Sequence, residues 1–221
     1  MASPSQNIAA IKARLPKGVE LVAVSKFHPA EAIADAYAGG QRIFGESRAQ
    51  ELTAKAPALP PDISWHFIGH LQTNKVRAVV PLVSLIHSID SLRLLRAVDA
   101  EARRIGRTVD VLLQVHVAAE ETKFGFTPAE LADAAPEAAA MTGARVVGVM
   151  GMASNTDDTS RVAADFAAIR AAFDTLAATA FAGRPEFAVV SMGMSHDWPL
   201  AVAAGSTMVR VGTDIFGERV Y

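Results

Sequence analysis

Lys26 follows the apolar run Leu21-Val22-Ala23-Val24-Ser25, so one long amine is delivered to the carboxyl end of what reads as the first buried strand. Burial penalises an ammonium group, lowers the lysine pKa and exposes a lone pair that attacks aldehydes to give a Schiff base. The competing reading is a strand-end lysine that reaches solvent, the ordinary fate of a residue seldom fully buried. The other chemistry-bearing groups make weaker constellations. His66 and His70 are four apart, which on a helix would turn two imidazoles toward one metal. Residues 65–68 read as a strand, where such positions lie about 13 Å apart, so a packed or supporting histidine is the expectation. Ser195-His196-Asp197 has the residue types of a hydrolase triad, but immediate neighbours cannot line up as a hydrogen-bonded relay. Gly193-Met194-Ser195 lacks the second glycine of a nucleophile elbow, and neither a Walker loop nor GxGxxG occurs. Glu120-Glu121 read as a solvated loop and Asp157-Asp158 as helix caps. His87 and His116 end strands and are expected to face a site mouth, without a partner identifiable from the sequence.

Composition narrows the chemistry further. The absence of cysteine removes disulfides, thiolate catalysis and cysteine-based metal sites together. A formal charge of −2, with no basic stripe, argues against a nucleic-acid partner. Lys75 and Arg77 precede the apolar residues 78–86, themselves broken by Pro81 and Ser84, so no membrane span is expected. Residues 1–15 lack the basic-then-apolar pattern of a secretory signal, which makes the cytoplasm the expected compartment.

The elements that must position Lys26 are legible as an alternation. Short β-rich runs at 21–25, 42–44, 65–68, 85–87, 109–117, 145–150, 187–190 and 207–211 are separated by helical patterns such as 29–38, 47–55, 91–104, 128–140 and 159–178. Such alternation implies parallel strands joined by crossover helices, and eight units with nothing left over predict a closed (β/α)₈ TIM barrel. Pro29 suits a first helical turn, Ser91 a cap, Thr127-Pro128 a capped start, and Gly39-Gly40 a helix end. No linker divides the chain, so residues 1–221 are expected to form one domain, long enough for a barrel core at 51% hydrophobic content. In such barrels the loops after strands seven and eight often hold a phosphate. Here those loops are Ser191-Met192-Gly193-Met194-Ser195 and a stretch opening with Gly212-Thr213, rich in small residues and hydroxyls, with a short helical turn expected at Thr213.

Taken together, VAVSK at 22–26, FGES at 44–47, WHFIGHLQTNK at 65–75, HSIDS at 87–91, ETKFGF at 121–126, SMGMS at 191–195 and GSTMVRVGTDIFGERVY at 205–221 closely resemble the YggS/PROSC family of pyridoxal 5′-phosphate homeostasis proteins. The similarity runs from about residue 8 to Tyr221. It implies the alanine-racemase-like barrel of fold-type III pyridoxal phosphate proteins, with Lys26 as the Schiff-base lysine. It also implies a cofactor phosphate on the loops holding Met194-Ser195 and Gly212-Thr213, and Arg210 against the pyridine nitrogen. A guanidinium only donates, so it favours an unprotonated ring nitrogen and weakens the ring as an electron sink. The family pattern usually reads FGEN; Ser47 puts a shorter hydroxyl where that amide would approach the cofactor, and His196 departs from the usual residue between Ser195 and Asp197.

Binding a cofactor does not establish a reaction. Racemases and decarboxylases of this fold type append a β-domain after the barrel, whereas this sequence ends four residues beyond Gly217, and its two tyrosines, Tyr37 and Tyr221, offer no evident acid opposite Lys26. The expected function is therefore reversible carriage of pyridoxal phosphate, with delivery to apo-enzymes, and the resemblance implies a monomer; the alternative is an amino-acid racemase of low activity.

Overall fold

In the computed structural model, which describes residues 2–118 and 124–218, the predicted alternation closes on itself. Strands β1 (Glu20–Val24), β2 (Ile43–Glu46), β3 (Ser64–Phe67), β4 (Leu85–Ile89), β5 (Val109–Val115), β6 (Ala144–Gly151), β7 (Val189–Ser191) and β8 (Met208–Val211) pair in chain order, all parallel. The ring is completed where Leu21 and Val22 of β1 face Val209 and Arg210 of β8. All eight predicted strands are present, their ends moved by no more than two residues. Glu120-Glu121, and the parts of two motif segments at 121–123 and 219–221, lie outside the described residues.

Around the strands stand α1 (Pro4–Lys12), α2 (Ala30–Ala38), α3 (Ala49–Lys55), α4 (Val76–Val79), α5 (Leu92–Arg104), α6 (Pro128–Ala139), α7 (Thr159–Ala178), α8 (Trp198–Ala203) and α9 (Thr213–Phe216). Local chemistry explains several of their starts. Thr127 and Glu130 close a reciprocal capping box at α6, Ser91 accepts from the Leu94 N–H, and Asp158 accepts from the N–H groups of Ser160 and Arg161. Pro29 is displaced from the expected first turn of α2 and sits one place earlier, at its cap, in extended conformation. Helix α1 was not anticipated, although Ser3, Pro4 and Gln6 form a second capping box there. It belongs to no β/α unit, and its Asn7 Nδ2 donates to the carbonyl of Ile215 in α9 at 2.9 Å. Helices α4 and α8 are too short to print a helical period on the sequence.

The strand pleat sorts side chains into two cores. Facing outward, Phe44, Trp65, Phe67, Ile86, Val111, Val149 and Val209 pack against helix residues such as Ile33, Leu52, Leu95, Phe166 and Ile169. Facing inward, Val22, Leu85, Leu112, Val147, Met150 and Met208 fill only part of the barrel. The rest of the interior is taken by buried polar side chains, among them His66, His87, Ser191 and Arg210.

Candidate functional site

Alternation along β1 sends Val22 into the barrel and Val24 toward its mouth, and the next residue of that phase is Lys26. Lys26, Ser47, Met194, Ser195, Arg210, Gly212 and Thr213 all line one cavity of about 280 Å³ at the carboxyl ends of the strands. Lys26 is half-buried, because it lies just past the strand where the barrel opens. The volume suits a compact ligand at the lower end of small-molecule sites.

Two loops build the wall opposite Lys26. After β7 the chain turns at Gly193, whose φ of 96° and whose spacing, with a Cβ there only 2.6 Å from that of Ala201, admit only glycine. Asp197 accepts from the Met194 N–H at 2.6 Å, so its carboxylate serves the loop rather than His196, and no triad forms. The Gly212 N–H points at Ser195 Oγ (3.4 Å), joining this loop to the one after β8, where α9 supplies the expected short helical turn. A Cβ at Gly212 would meet Val24 at 3.3 Å, so the backbone here lies tight against β1.

Arg210 forms the floor. Its Nη1 donates to the carbonyl and the hydroxyl of Ser191 (2.8 and 2.7 Å), and its Nη2 to the Gly151 carbonyl (3.1 Å). Burial pulls its pKa down to about 10, which leaves it cationic at neutral pH. Beneath it runs a chain of contacts absent from the sequence reading. Ser191 Oγ lies 3.0 Å from His87 Nδ1, His87 Nε2 lies 3.0 Å from His66 Nδ1, and His66 Nε2 lies 3.4 Å from Ser64 Oγ. Arg210 can only donate to Ser191, so the hydroxyl satisfies its own hydrogen by donating to His87 Nδ1. The hydrogen of each imidazole then rests on Nε2, pointing away from the cavity. Burial holds both rings neutral: His66 is lowered to about 3, and His87 well below the usual histidine range, with His66 and Arg210 adding to the effect.

His87 therefore departs from expectation. β4 continues to Ile89 through a register shift between Ile86 and Ile89, so His87 lies inside the barrel rather than at its mouth, and it does have partners. His66 is the supporting histidine foreseen. His70 stays on the rim, 2.8 Å from Asp90 and stacked on Phe124. His116 does not line the cavity; its backbone N–H donates to the Phe126 carbonyl. His28, Met152, Asn155 and His196 line the cavity as well. The loop position of Met152 and Asn155 just beyond β6 was the available signal, because βα loops build barrel sites. Among the described residues no cluster of three potential metal ligands occurs, and no helix is long and apolar enough to cross a membrane.

Comparison with known proteins places these features in context. Residues 2–220 match the family described as alanine racemase, N-terminal domain. The pyridoxal phosphate homeostasis protein of Vibrio alginolyticus is 38% identical over 213 residues, covering 94% of this chain and 90% of the relative. Two solved structures of PipY from Synechococcus elongatus PCC7942 are also similar. The one without PLP superposes with a TM-score of 0.92 at 41% identity, and the one with PLP bound with 0.89 at 40%, each covering 97% of this chain and 100% of the other.

Proposed function

The chain belongs to the pyridoxal phosphate homeostasis protein family, on the barrel of the alanine racemase N-terminal domain, and from that premise we propose that its cavity carries pyridoxal phosphate reversibly, with Lys26 as the covalent anchor. The observation that carries the reading is the convergence of all seven expected binding residues on a single cavity at the barrel mouth. When bound, pyridoxal phosphate supplies an aldehyde that captures amines and a ring that withdraws electrons from what it has captured.

The residues present fit that group. The Lys26 amine faces loops whose glycine backbone and Ser195 and Thr213 hydroxyls suit a phosphate, and Ser47 adds a hydroxyl to the lining. Arg210 meets the cavity with a group that donates and never accepts, so a ring nitrogen beside it is kept unprotonated. No tyrosine lines the cavity among the described residues; Tyr37 stands on α2 and donates to Asp62 at 2.6 Å. These features support carriage over turnover. In the proposed working state the chain is one barrel domain, a cytoplasmic monomer that delivers its load to apo-enzymes.

Reduction of the loaded protein with borohydride, followed by peptide mass mapping, tests the anchor. A pyridoxyl adduct on Lys26 is expected; an adduct elsewhere, or none, overturns the assignment. Turnover of D- or L-amino acids at ordinary enzyme rates would overturn carriage in favour of racemisation.

A further inference from the structure

We propose that Glu51 and Lys55, two residues of α3 that do not line the cavity, fix the backbone angles of Lys26 and act as positioning residues for the anchor; the inference rests on Lys26 being that anchor.

The geometry is specific to one Cα. The peptide unit before Lys26 is held at its carbonyl, where Ser25 O accepts from Lys55 Nζ at 3.0 Å. The peptide unit after it is held at its N–H, where Phe27 donates to Glu51 Oε2 at 2.8 Å. Lys55 Nζ also donates to that same Glu51 oxygen at 2.8 Å, so the two holds are one ion pair, the (i,i+4) pair of α3. The Ser25 carbonyl also accepts from the His28 N–H at 3.1 Å, so a backbone turn and the two α3 side chains together hold the planes on either side of Lys26 and with them its φ and ψ. A third partner saturates the ammonium: Glu46 Oε1 accepts from Lys55 Nζ at 2.8 Å and from Ser25 Oγ at 2.7 Å. An ammonium has three hydrogens, and here each has its own oxygen.

This arrangement is not what stability alone would select. Glu46 is fully buried with Oε2 lacking a hydrogen-bond partner among the described residues, and burial pushes its carboxyl above the usual range despite Lys55. Burial also opposes ionisation of Glu51, but Lys55 and the Phe27 N–H together outweigh it and hold that carboxyl low. Buried ion pairs are weak stabilisers against well-packed apolar residues. Phe27, besides, is the one non-glycine residue with positive φ among those described, at 67°, with the Arg48 guanidinium 4.4 Å over its ring. Left-handed backbone at a bulky residue persists where its surroundings over-determine it, commonly beside a functional group. The two costly features flank the same residue, and that residue is Lys26. Its four-carbon side chain retains many rotamers, so fixing the direction in which it leaves the backbone limits where the amine can stand.

The test uses the full chain with Glu51→Ala, Glu51→Gln and Lys55→Met, each loaded with pyridoxal phosphate and compared with wild type. Four quantities are read: adduct on Lys26 after borohydride, the rate of cofactor loss to excess amine scavenger, the pH midpoint of the bound cofactor's absorption, and amide exchange at Phe27 in ligand-free protein. Glu51→Ala is expected to release the cofactor roughly 10- to 100-fold faster, by analogy with the loss seen when the hydrogen-bond partners of metal-binding side chains are removed. It should also shift the pH midpoint and expose the Phe27 amide to exchange. Glu51→Gln keeps an oxygen for the Phe27 N–H and should restore most of the wild-type release rate. Lys55→Met should follow Glu51→Ala; if that variant does not fold, the two Glu51 variants decide alone. Unchanged release and pH midpoint in Glu51→Ala, with only a lower unfolding temperature, would reduce the Glu51–Lys55 pair to a structural contact and overturn the proposal. A wild-type protein without adduct on Lys26 would instead overturn the anchor itself.

Discussion

The two faces of the same eight strands have opposite chemistry. On the outer face, Phe44, Phe67, Ile86 and Val149 meet a continuous apolar layer from the helices, where every contact is interchangeable with another of like volume. On the inner face, the hydrophobic set is small, and Ser64, His66, His87, Ser191 and Arg210 run through it in a line. The difference teaches that in this barrel stability and ligand affinity are carried on alternate residues of one strand, so adjacent substitutions should have different consequences.

The sharpest break in that comparison is Lys26→Ala, which is expected to abolish covalent capture completely while leaving thermal unfolding of the ligand-free protein nearly unchanged; absorption and mass mapping check the first, calorimetry the second. Phe166→Ala should do the reverse. Fully buried in the outer layer, it is expected to cost about 3–5 kcal/mol in urea unfolding. The adduct on Lys26 should remain in the fraction still folded.

Acid sharpens the comparison from the inside. His66 and His87 stay neutral in the folded barrel while an unfolded chain's histidines take up protons near pH 6.5, so the unfolded state binds more protons between there and about pH 3. Stability should therefore fall as pH falls through that window, by up to about 1.4 kcal/mol per pH unit for each imidazole. Urea midpoints at pH 7, 6 and 5 measure the slope, and a His66→Gln variant should flatten it. His87→Leu fills the interior but takes the acceptor from the Ser191 hydroxyl hydrogen and the donor from His66 Nδ1, each a loss of about 1–3 kcal/mol at most. Because Ser191 is what Arg210 donates to, cofactor affinity should weaken along with stability, unlike in Phe166→Ala. The smallest effect is expected of Ser47→Ala, a lost hydroxyl at the cavity wall worth no more than about 1 kcal/mol in affinity by titration.

The barrel and much of the lining of the cavity at its mouth could be read in the sequence because both are written locally. Lys26 ends an apolar run, and Met194, Ser195, Gly212 and Thr213 follow the last two strands, so position along the chain already states position at the mouth. His87 was misjudged because the register shift in β4 carries the strand two residues further than its apolar period suggests. Its partner Ser191 is 104 residues away, and no local pattern announces that pairing. A clue existed in Ser64-Trp65-His66-Phe67, where polar and aromatic residues alternate in a strand buried on both faces, so one side of the pleat had to be polar inside the barrel. Asp99 was equally silent: from α5 it accepts the N–H groups of Thr142, Gly143 and Ala144, and against the opposing pull of burial those backbone donors and the Arg103 guanidinium hold its carboxyl low.

The bond from Asn7 to the Ile215 carbonyl reaches beyond α1 itself. It clasps a helix from outside the eight β/α units to the turn that follows β8, so the loop at the cavity rim takes its last support from a residue far from it along the chain. Cutting α1 away, or crowding it with a bulky neighbour, is therefore an operation on the doorway of the cavity, and any such change is better tried against the Asn7→Ala control than assumed to be innocent.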